Sequence, residues 1–303
     1  MNLIYEGIDI TNNVDIKSAN IIESSGSYFD NVIVNLNNSI NEWSGWKPKK
    51  TDRLELKHKG FSSGTMYIDE ILQKRAAITL KAIPLRQRNR QNNTKPWEDI
   101  SLLELLNEFA QKHALTLKTY NVVNYLYSKV NQIEQSDFFF IQQRCMLEGY
   151  VLKILNGEMI VYDEKHMEGI SSGITIDFSE VDGDFDYNDK SFEIYGSCSI
   201  ISGDINYTYT PSSSYGPVLN IKNILASNLA EAQRFAKNCL RNKNKFEKTL
   251  IFSKDLDAGI TAGNTVEIKN FGLPDGRYYV YQAKHNLANE TTQLCLRGIL
   301  EEY

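Results

Sequence analysis

The last third of the chain contains two β-rich runs that each begin at a glycine, and this pattern constrains the fold most. The first run reads Gly-Asn-Thr-Val-Glu-Ile over 263–268, and the second reads Gly-Arg-Tyr-Tyr-Val-Tyr-Gln-Ala-Lys-His over 276–285. A further strand-like run precedes Tyr303. β-branched and aromatic residues favour strands, and glycine favours the turns between them. The pattern predicts successive paired strands and matches no catalytic motif.

The first 85 residues show the same signature in shorter pieces. Alternating or β-branched segments predict strands at 3–5, 14–16, 28–36, 53–57, 64–72 and 76–83. Asn37-Asn38 and residues 60–64 supply turn chemistry between them. Strands at such short, regular intervals indicate a β-barrel or a β-sandwich.

Residues 86–96 interrupt this pattern with Arg-Gln-Arg-Asn-Arg-Gln-Asn-Asn-Thr-Lys-Pro, which is polar and basic. A stretch without apolar side chains has nothing to bury against a core. We therefore predict a solvated loop. A contact with an acidic partner surface is the second interpretation.

The middle of the chain changes to a helical period. Ser101 and Glu104 form a capping-box pattern, which predicts a helix over about 102–113. Its apolar face is formed by Leu102, Leu103, Leu106, Phe109 and Ala110. A strand-like stretch follows at 115–123, and a second helix begins at Ser136 or Asp137 and ends at Gly149.

The strongest hairpin signal lies directly after the second predicted helix. Asn156-Gly157 separates the β-rich runs 150–155 and 158–162. A type I′ turn needs positive φ at both central residues, and Asn-Gly is the preferred pair for it. The helices and the hairpin together predict a small α/β domain.

Strand patterns return at 174–178, 191–201 and 205–209, followed by a Gly/Ser/Pro-rich loop at 211–217 and a third helix at about 229–242. We predict a mainly β (α+β) fold with two β-barrel domains and a small inserted α/β domain. The first barrel is predicted over 1–95, the α/β domain over 96–168, and the second barrel, with its one helix, over 169–303.

Charge and composition restrict the function. With 33 Lys and Arg against 38 Asp and Glu, the formal net charge of the 303 residues is −5. This balance argues against a surface that binds nucleic acid along its length, but it is compatible with DNA passing through a like-charged bore. The N-terminus does not resemble a signal peptide, and no apolar run is long enough to span a membrane.

The four cysteines are scattered along the sequence without a CxxC motif. Two fall in predicted helices, Cys145 and Cys239, and two in predicted strands, Cys198 and Cys295. Disulfide or zinc frameworks need closer pairing. We expect four free, buried thiols.

No catalytic or metal site emerges from the sequence. The histidines, His58, His113, His166 and His285, form no close-spaced ligand pair. Neither a Gly-x-Ser-x-Gly elbow nor a P-loop is present. A glycosidase-type carboxylate pair stays open, because its spacing is spatial. We predict a protein that is not an enzyme, with no catalytic, cofactor or metal residues.

One acidic stretch resembles a calcium loop in its spacing. Asp182, Asp184, Asp186, Asn188 and Glu193 occupy positions 1, 3, 5, 7 and 12 of an EF-hand pattern. Position 6 is Tyr187 where the sharp turn requires glycine, and the flanking segments are strand-like. We predict an acidic hairpin tip or inter-strand loop, with an acidic surface facing a lumen or basic partner and calcium binding as the alternatives.

The order of these pieces resembles the late control protein D-like tail hub family, which includes baseplate hubs of contractile phage tails and relatives of the N-terminal part of type VI secretion spike proteins. The resemblance rests on Trp46–Leu56, Gly64–Ile71, the helix Ser101–Ala110, the segment from Gln135 through the hairpin to Val161, and the closing runs Gly263–Ile268 and Tyr278–His285.

The resemblance implies two tail-tube-like barrels in each subunit and a trimeric ring that joins a sixfold tail tube to a threefold spike. It also implies a phage or R-type bacteriocin baseplate, assembled in the host cytoplasm, as the location. The implied partners are the tail tube protein, the central spike protein, and baseplate wedge and tape-measure proteins. Because no spike or hydrolase extension is recognisable, we expect a separate spike protein.

Two other functions follow from single segments. The helices and hairpin of 96–168 are compatible with a cell-wall-binding or lytic module of a tail tip. The acidic stretch Asp182–Glu193 is compatible with a calcium-dependent adhesin.

Overall fold

The computed structural model describes residues 1–26, 29–41, 43–86, 91–171, 173–212 and 215–301. Alternate residues of the early strands are buried; Val32, Val34 and Leu36, for example, point to one side of the fourth strand. The elements of this first part are β1 (Asn2–Tyr5), β2 (Ile8–Asp9), β3 (Ile16–Ser24), β4 (Asn31–Asn37), α1 (Trp43–Trp46), β5 (Arg53–His58), β6 (Phe61–Ser62), β7 (Met66–Lys74) and β8 (Ala77–Ile83).

The middle part alternates strands with short helices. Its elements are β9 (Asn92–Ser101), α2 (Leu102–Lys112), β10 (Thr116–Tyr120), β11 (Leu126–Ser136), α3 (Asp137–Leu147), β12 (Tyr150–Leu155), β13 (Glu158–Asp163) and α4 (Glu164–Gly169). Strand β10 lies parallel to β13, which pairs antiparallel with β12.

The last part is mostly strand with one long helix. Its elements are β14 (Ile174–Asp177), β15 (Val181–Asp189), β16 (Ser197–Ser202), β17 (Ile205–Tyr209), β18 (Val218–Ile221), α5 (Leu229–Asn244), β19 (Lys248–Asp255), β20 (Thr265–Lys269), β21 (Gly276–Asn286) and β22 (Thr291–Gly298). The predicted mainly β class, with two β-rich units and an α/β segment between them, is confirmed.

The two β-rich units share one 14-stranded sheet. Its main path runs β15-β19-β22-β21-β3-β4-β8-β7-β5-β1-β2. The units join where β21 pairs antiparallel with β3, with His285 opposite Ile21. Each unit keeps its own apolar cluster, one around Leu56 and Leu80 and the other around Phe252 and Leu294.

The predicted capping box at the start of α2 is present in both directions. The Ser101 hydroxyl accepts a hydrogen bond from the backbone N–H of Glu104, and the Glu104 carboxylate accepts one from the N–H of Ser101. These bonds satisfy two of the donors that a helix leaves unpaired at its N-terminus. Because the capping pattern is local, the sequence located the beginning of this helix correctly.

Helix α3 and the hairpin after it also follow their local signals. Gly149 ends the helix region with φ of 82°. Asn156 and Gly157 both have positive φ, as a type I′ turn requires, between β12 and β13. The predicted bounds of the hairpin agree with the structure within one residue.

Helix α5, which the sequence analysis assigned to the second barrel, packs against the middle part of the chain. Its buried residues Ala232, Phe235, Ala236 and Leu240 share one apolar cluster with residues of α2, α3 and the hairpin. The small sheet β17-β16-β18 contributes Cys198 and Ile200 to the same cluster. The division of the chain at 95 and 168 stays a prediction, and the core of the middle part extends to include 197–240.

Part of the polar stretch 86–96 is a strand, which corrects the loop prediction; residues 87–90 lie outside the described ranges. Strand β9 begins at Asn92 and pairs with β11 in a two-stranded ribbon. The polar residues 92–96 are mostly exposed, whereas Trp97 is buried. Backbone hydrogen bonds between the two strands stabilise the exposed end of this ribbon, so its side chains do not need to be apolar.

The acidic stretch is also a strand rather than a loop or hairpin tip. Residues 181–189 form β15, which pairs antiparallel with β19. Phe185 and Tyr187 pack against the apolar cluster of the second β unit, whereas Asp184 and Asp186 are exposed. Packing of these two alternate aromatic side chains, which are partly buried, favours the extended conformation. The neighbouring prediction of a strand over 191–201 was too long, because β16 begins at Ser197.

Candidate functional site

Helix α4 places two glutamates in the interior between the middle part and the last strand. Glu164 and Glu168 stand one turn apart and are only 5% and 2% exposed. Asp163 caps the helix by accepting a hydrogen bond from the N–H of His166. Both glutamates therefore need cationic partners, because an isolated buried carboxylate is strongly destabilising.

Three cations supply these partners. Arg241 lies in the last turn of α5, Lys245 is the C-cap residue that follows this helix, and Arg297 comes from β22. Lys245 Nζ lies 3.2 Å from Glu164 Oε1, and Arg297 Nη2 lies 3.1 Å from the same oxygen. Arg241 and Arg297 each donate through Nη2 to Glu168 Oε1. We call these residues the charged junction: Glu164, Glu168, Arg241, Lys245 and Arg297.

The charges of the junction shift the pKa of its members. Burial raises the pKa of Glu164, but Lys245, Arg297 and Arg241 together lower it to about 2. Burial lowers the pKa of Lys245, and the attraction of Glu164 compensates only in part. Glu164 is thus ionised throughout the range in which most proteins are stable.

Arg297 has no solvent exposure and is among the largest fully buried side chains of the described residues. Its guanidinium lies 4.3 Å from the ring centre of Tyr279, a cation–π contact. Burial lowers the pKa of Arg297, but Glu164, Glu168 and Tyr279 raise it by more, so that the residue stays charged. The junction therefore ties α4 and α5 to the last strand of the 14-stranded sheet.

A cluster of hydroxyl groups lies where the same parts meet. Ser25 Oγ lies 3.0 Å from Tyr162 Oη and also contacts Tyr279 Oη, and the two tyrosine oxygens are 3.3 Å apart. All three residues are buried. Burial raises the pKa of Tyr279 well above its ordinary value, so it remains a neutral hydrogen-bonding group. The cluster connects the end of β3 with β13 and β21.

A second buried ion pair links the first β unit to the hairpin. Lys153 Nζ lies 3.1 Å from Asp30 Oδ2, and both side chains are largely buried. Burial lowers the pKa of Lys153, but Asp30 and Glu23 raise it by more. This ion pair and the cluster of hydroxyl groups therefore connect the β units to the middle part.

The histidines are dispersed in the structure as in the sequence. His285 is fully buried, packs on Phe61 with ring centres 4.6 Å apart, and has Nδ1 3.0 Å from Thr292 Oγ1. His113 follows α2, with Nε2 2.8 Å from Asp137 Oδ2. Both histidines make packing and hydrogen-bonding contacts with neighbouring side chains.

The calcium-loop spacing does not converge in space. Its first residues lie along the extended strand β15, where the rise of about 3.3 Å per residue spreads the alternate carboxylates along the strand instead of directing them to one point. Within the described ranges, no group of three or more His, Cys, Asp or Glu side chains is placed to hold a metal ion. The four cysteines are free and buried in the predicted helices and strands.

Sequence reasoning missed the charged junction. Its five residues come from α4, from α5 and its C-cap, and from β22, and α4 and β22 are far from α5 along the chain. The only local signal was the spacing of four between Glu164 and Glu168 and between Arg241 and Lys245, which is also common on exposed helix faces.

In the described ranges, no helix is long and apolar enough to cross a membrane.

No protein-family model and no curated protein sequence matches this chain. Solved structures do match it in fold. The 43 kDa tail protein of prophage MuSo2 from Shewanella oneidensis is 10% identical with a TM-score of 0.75, and the match covers 97% of each chain. A tail protein from Neisseria meningitidis is 13% identical with a TM-score of 0.75, and covers 98% of this chain and 95% of its own.

A third match comes from a secretion system. The c3393 protein of E. coli is described as a type VI secretion component with structural similarity to bacteriophage T4 tail proteins. It is 10% identical with a TM-score of 0.63, over 100% of this chain and 78% of its own. The resemblance to baseplate hubs inferred from the sequence is thus confirmed at the level of the fold: this chain has the fold of phage tail proteins.

Proposed function

We propose that this chain is a structural baseplate hub of a contractile phage tail or an R-type bacteriocin. The observation that carries the proposal is the match to two tail proteins, one of them from a prophage, over at least 95% of both chains. A match of this extent concerns the arrangement of all parts of the chain, whereas a match to one module would be compatible with many functions.

In this proposal three copies form a ring that joins the sixfold tail tube to the threefold spike. Two tube-like β units in each copy would present six similar units around the axis. The tail tube protein would bind one face of the ring and a central spike protein the other, with wedge and tape-measure proteins as further neighbours. The particle would be assembled in the host cytoplasm.

The open edge of the large sheet supports an assembled state. Among the described strands, β15 pairs only with β19, so that its other edge is unpaired. An unpaired edge is a site for pairing with another chain, and closed point symmetry limits such growth to a ring. The exposed acidic side chains of β15 would also prevent uncontrolled edge-to-edge association.

We further propose that the protein acts by assembly and catalyses no reaction. The buried polar groups described above are engaged in contacts between parts of the chain. Three copies would carry a formal charge of 3 × −5 = −15. Acidic side chains facing the bore would keep it from binding DNA that passes through.

The test is native mass by light scattering, followed by negative-stain imaging. We expect a species of three times the mass of one chain, with an open centre, for the protein alone or after addition of its spike protein. A compact monomer under both conditions would contradict the hub proposal. A pull-down on purified cell walls and a clearing assay test the alternative wall-binding function, which predicts retention on the walls without a ring.

A further inference from the structure

The two β-rich units have the same strand arrangement. The sheet runs β3-β4-β8-β7-β5 in the first unit and β15-β19-β22-β21-β20 in the second. All neighbouring strands in both units are antiparallel. When the five strands of each unit are numbered along the chain, both units have the spatial order 1-2-5-4-3. Strand β3 therefore corresponds to β15, and β7 corresponds to β21.

A row of paired residues crosses each unit at the same position. The rows are Ile21-Val32-Ala82-Ile68 in the first unit and Tyr187-Leu250-Leu296-Val280 in the second. In each unit the strand register shifts directly after the last residue of the row, Ile68 or Val280. The rows therefore align the two units residue by residue. On β3 and β15, Ile21 corresponds to Tyr187.

Within the chain, the two units join through the later part of β21. Residues 282–286 pair with 20–24 of β3, on the side of β21 that pairs with β20 nearer its start. The corresponding part of β7, counted from the aligned rows, is 70–74. Among the described strands this part pairs only with β8, and β15 pairs only with β19. Each chain thus carries both halves of a second join of the same kind, but the two halves do not meet within the chain.

We propose that residues 70–74 of one copy pair antiparallel with β15 of the next copy, in the register that joins β21 to β3. In the join within the chain, His285 lies opposite Ile21. Gln73 and Tyr187 correspond to these two residues and lie opposite each other in the contact between copies. A contact between two different edges closes into a ring or continues as a filament. The inference rests on the proposed ring and names the two surfaces that form it.

This register brings opposite charges together across the contact. Lys74 lies opposite Asp186. Two residues further from the β7–β8 turn on each side of this pair is Leu72, and Glu70 then lies opposite Lys190. All four charged residues are exposed in the single chain. Cross-strand pairs of opposite charge stabilise antiparallel strands, and a shift by two residues in either direction removes the match between Glu70 and Lys190.

Disulfide cross-linking tests the register. Leu72 is 51% exposed at the open edge of β7 and lies opposite Asn188 in the proposed contact. Directly opposed residues of antiparallel strands have Cα atoms about 4.5–5.5 Å apart, within the range that a disulfide spans. When the variants Leu72→Cys and Asn188→Cys are mixed and oxidised, we expect a covalent dimer. The four native cysteines are buried and should not interfere.

Leu72→Cys mixed with Asp184→Cys is the matched control. Asp184 is also exposed on β15, four residues before Asn188. Two Cα atoms more than about 7 Å apart cannot be bridged without backbone movement, so we expect at least about tenfold less covalent dimer than with Asn188→Cys.

Charge reversal tests the ion pairs. Lys74→Glu places a carboxylate opposite Asp186, and we expect the dissociation constant of the contact to rise about tenfold. Adding Asp186→Lys to the same chain restores a pair of opposite charges and should restore association. Lys129→Glu makes the same change in net charge at an exposed position of β11 and should leave association unchanged. Light scattering over a series of concentrations measures association in all these variants.

Two results overturn the inference without touching the hub proposal. One is a trimer in which position 72 cross-links to 184 as well as to 188. The other is a trimer whose stability Lys74→Glu leaves as Lys129→Glu does. Open-ended filaments that cross-link between positions 72 and 188 would instead support the strand pairing and contradict the trimer. A monomer that forms no such cross-link would contradict both.

Discussion

At the scale of single residues, buried charges from separate elements pair with one another in the interior of the described chain. Arg297 and Glu168 meet in the interior, and each is almost fully buried. Burying a paired charge contributes little net stability, but removing one partner is strongly destabilising because the other remains unpaired. The charged junction therefore makes the correct placement of α4 and α5 against β22 a condition of folding.

Glu168→Gln tests this condition. The substitution keeps the shape of the side chain but removes the charge that faces Arg241 and Arg297, and we expect a loss of about 3 kcal/mol in the free energy of unfolding. Glu158→Gln is the matched control, because Glu158 pairs with Lys118 at the surface and should lose less than about 1 kcal/mol. Urea denaturation measures both, and equal small losses would contradict a structural role for the junction.

His285 gives the molecule a predictable dependence on pH. Burial lowers the pKa of His285 from 6.5 to about 4, with Asp257 opposing the shift and Lys153 adding to it. Between these values the unfolded chain binds a proton that the folded protein does not, so this contribution to stability is complete above pH 6.5 and is lost as the pH falls to about 4.

We expect His285→Gln to lose less stability than the unmodified protein between pH 6.5 and 4. The difference should reach up to about 3 kcal/mol, since one pKa unit corresponds to about 1.4 kcal/mol. Chemical denaturation of both proteins across this range measures it. Parallel pH profiles would show that His285 does not titrate as its burial requires.

At the scale of elements, two glycines with positive φ end helix α3 and form the turn of the hairpin in the middle part. Gly149 follows α3 with φ of 82°, and Gly157 lies in the hairpin turn with φ of 75°. A side chain at either position would be strained by the backbone, but the surroundings differ. A Cβ at Gly149 would lie 2.8 Å from Asn238 Oδ1, whereas none of the described atoms lies within 4 Å of a Cβ at Gly157.

Gly149→Ala is therefore expected to cost more stability than Gly157→Ala. Backbone strain accounts for about 1 kcal/mol at each site. Asn238 cannot move away freely, because its amide donates to the carbonyl oxygen of Leu147 at 2.9 Å, and we expect at least about 1 kcal/mol more at Gly149. Thermal unfolding of the two variants provides the comparison; equal costs would mean that Asn238 adapts.

At the scale of the whole molecule, the large sheet has a protected middle and an open end. Strand β21 is paired on both sides, with β22 and β3, and joins the two β-rich units. Strand β15 is paired on one side only among the described strands. Local opening is easier for backbone hydrogen bonds that are exposed at an edge than for those in the middle of a sheet.

Hydrogen exchange should reveal this gradient. In the unassembled protein we expect amides of β21 to exchange at least about 100-fold more slowly than those of β15, because opening β21 requires breaking two strand pairings. If β15 contributes to the proposed ring, assembly should slow its exchange and leave β21 unchanged. Equal rates in both strands of the monomer would contradict the gradient, and β15 rates unaffected by assembly would exclude that edge from the ring contact.

The sequence by itself determined the features that depend on neighbours along the chain. The capping box at Ser101, the turn at Asn156-Gly157 and the alternation of apolar residues in β4 each act within a few residues. These local preferences were enough to predict the mainly β class and the helices α2, α3 and α5, but not α1 or α4. The scattered spacing of the cysteines predicted that their thiols are free.

Only the tertiary structure decided which distant parts meet. In the folded chain β9 pairs with β11, and the acidic residues 181–189 form a strand. Helix α5 packs into the apolar core of the middle part. The tertiary structure also brought the glutamates of α4 to the cations of α5 and β22. Burial and charge pairing depend on contacts between residues far apart in sequence, and a local pattern contains no information about which partner will remove a side chain from water.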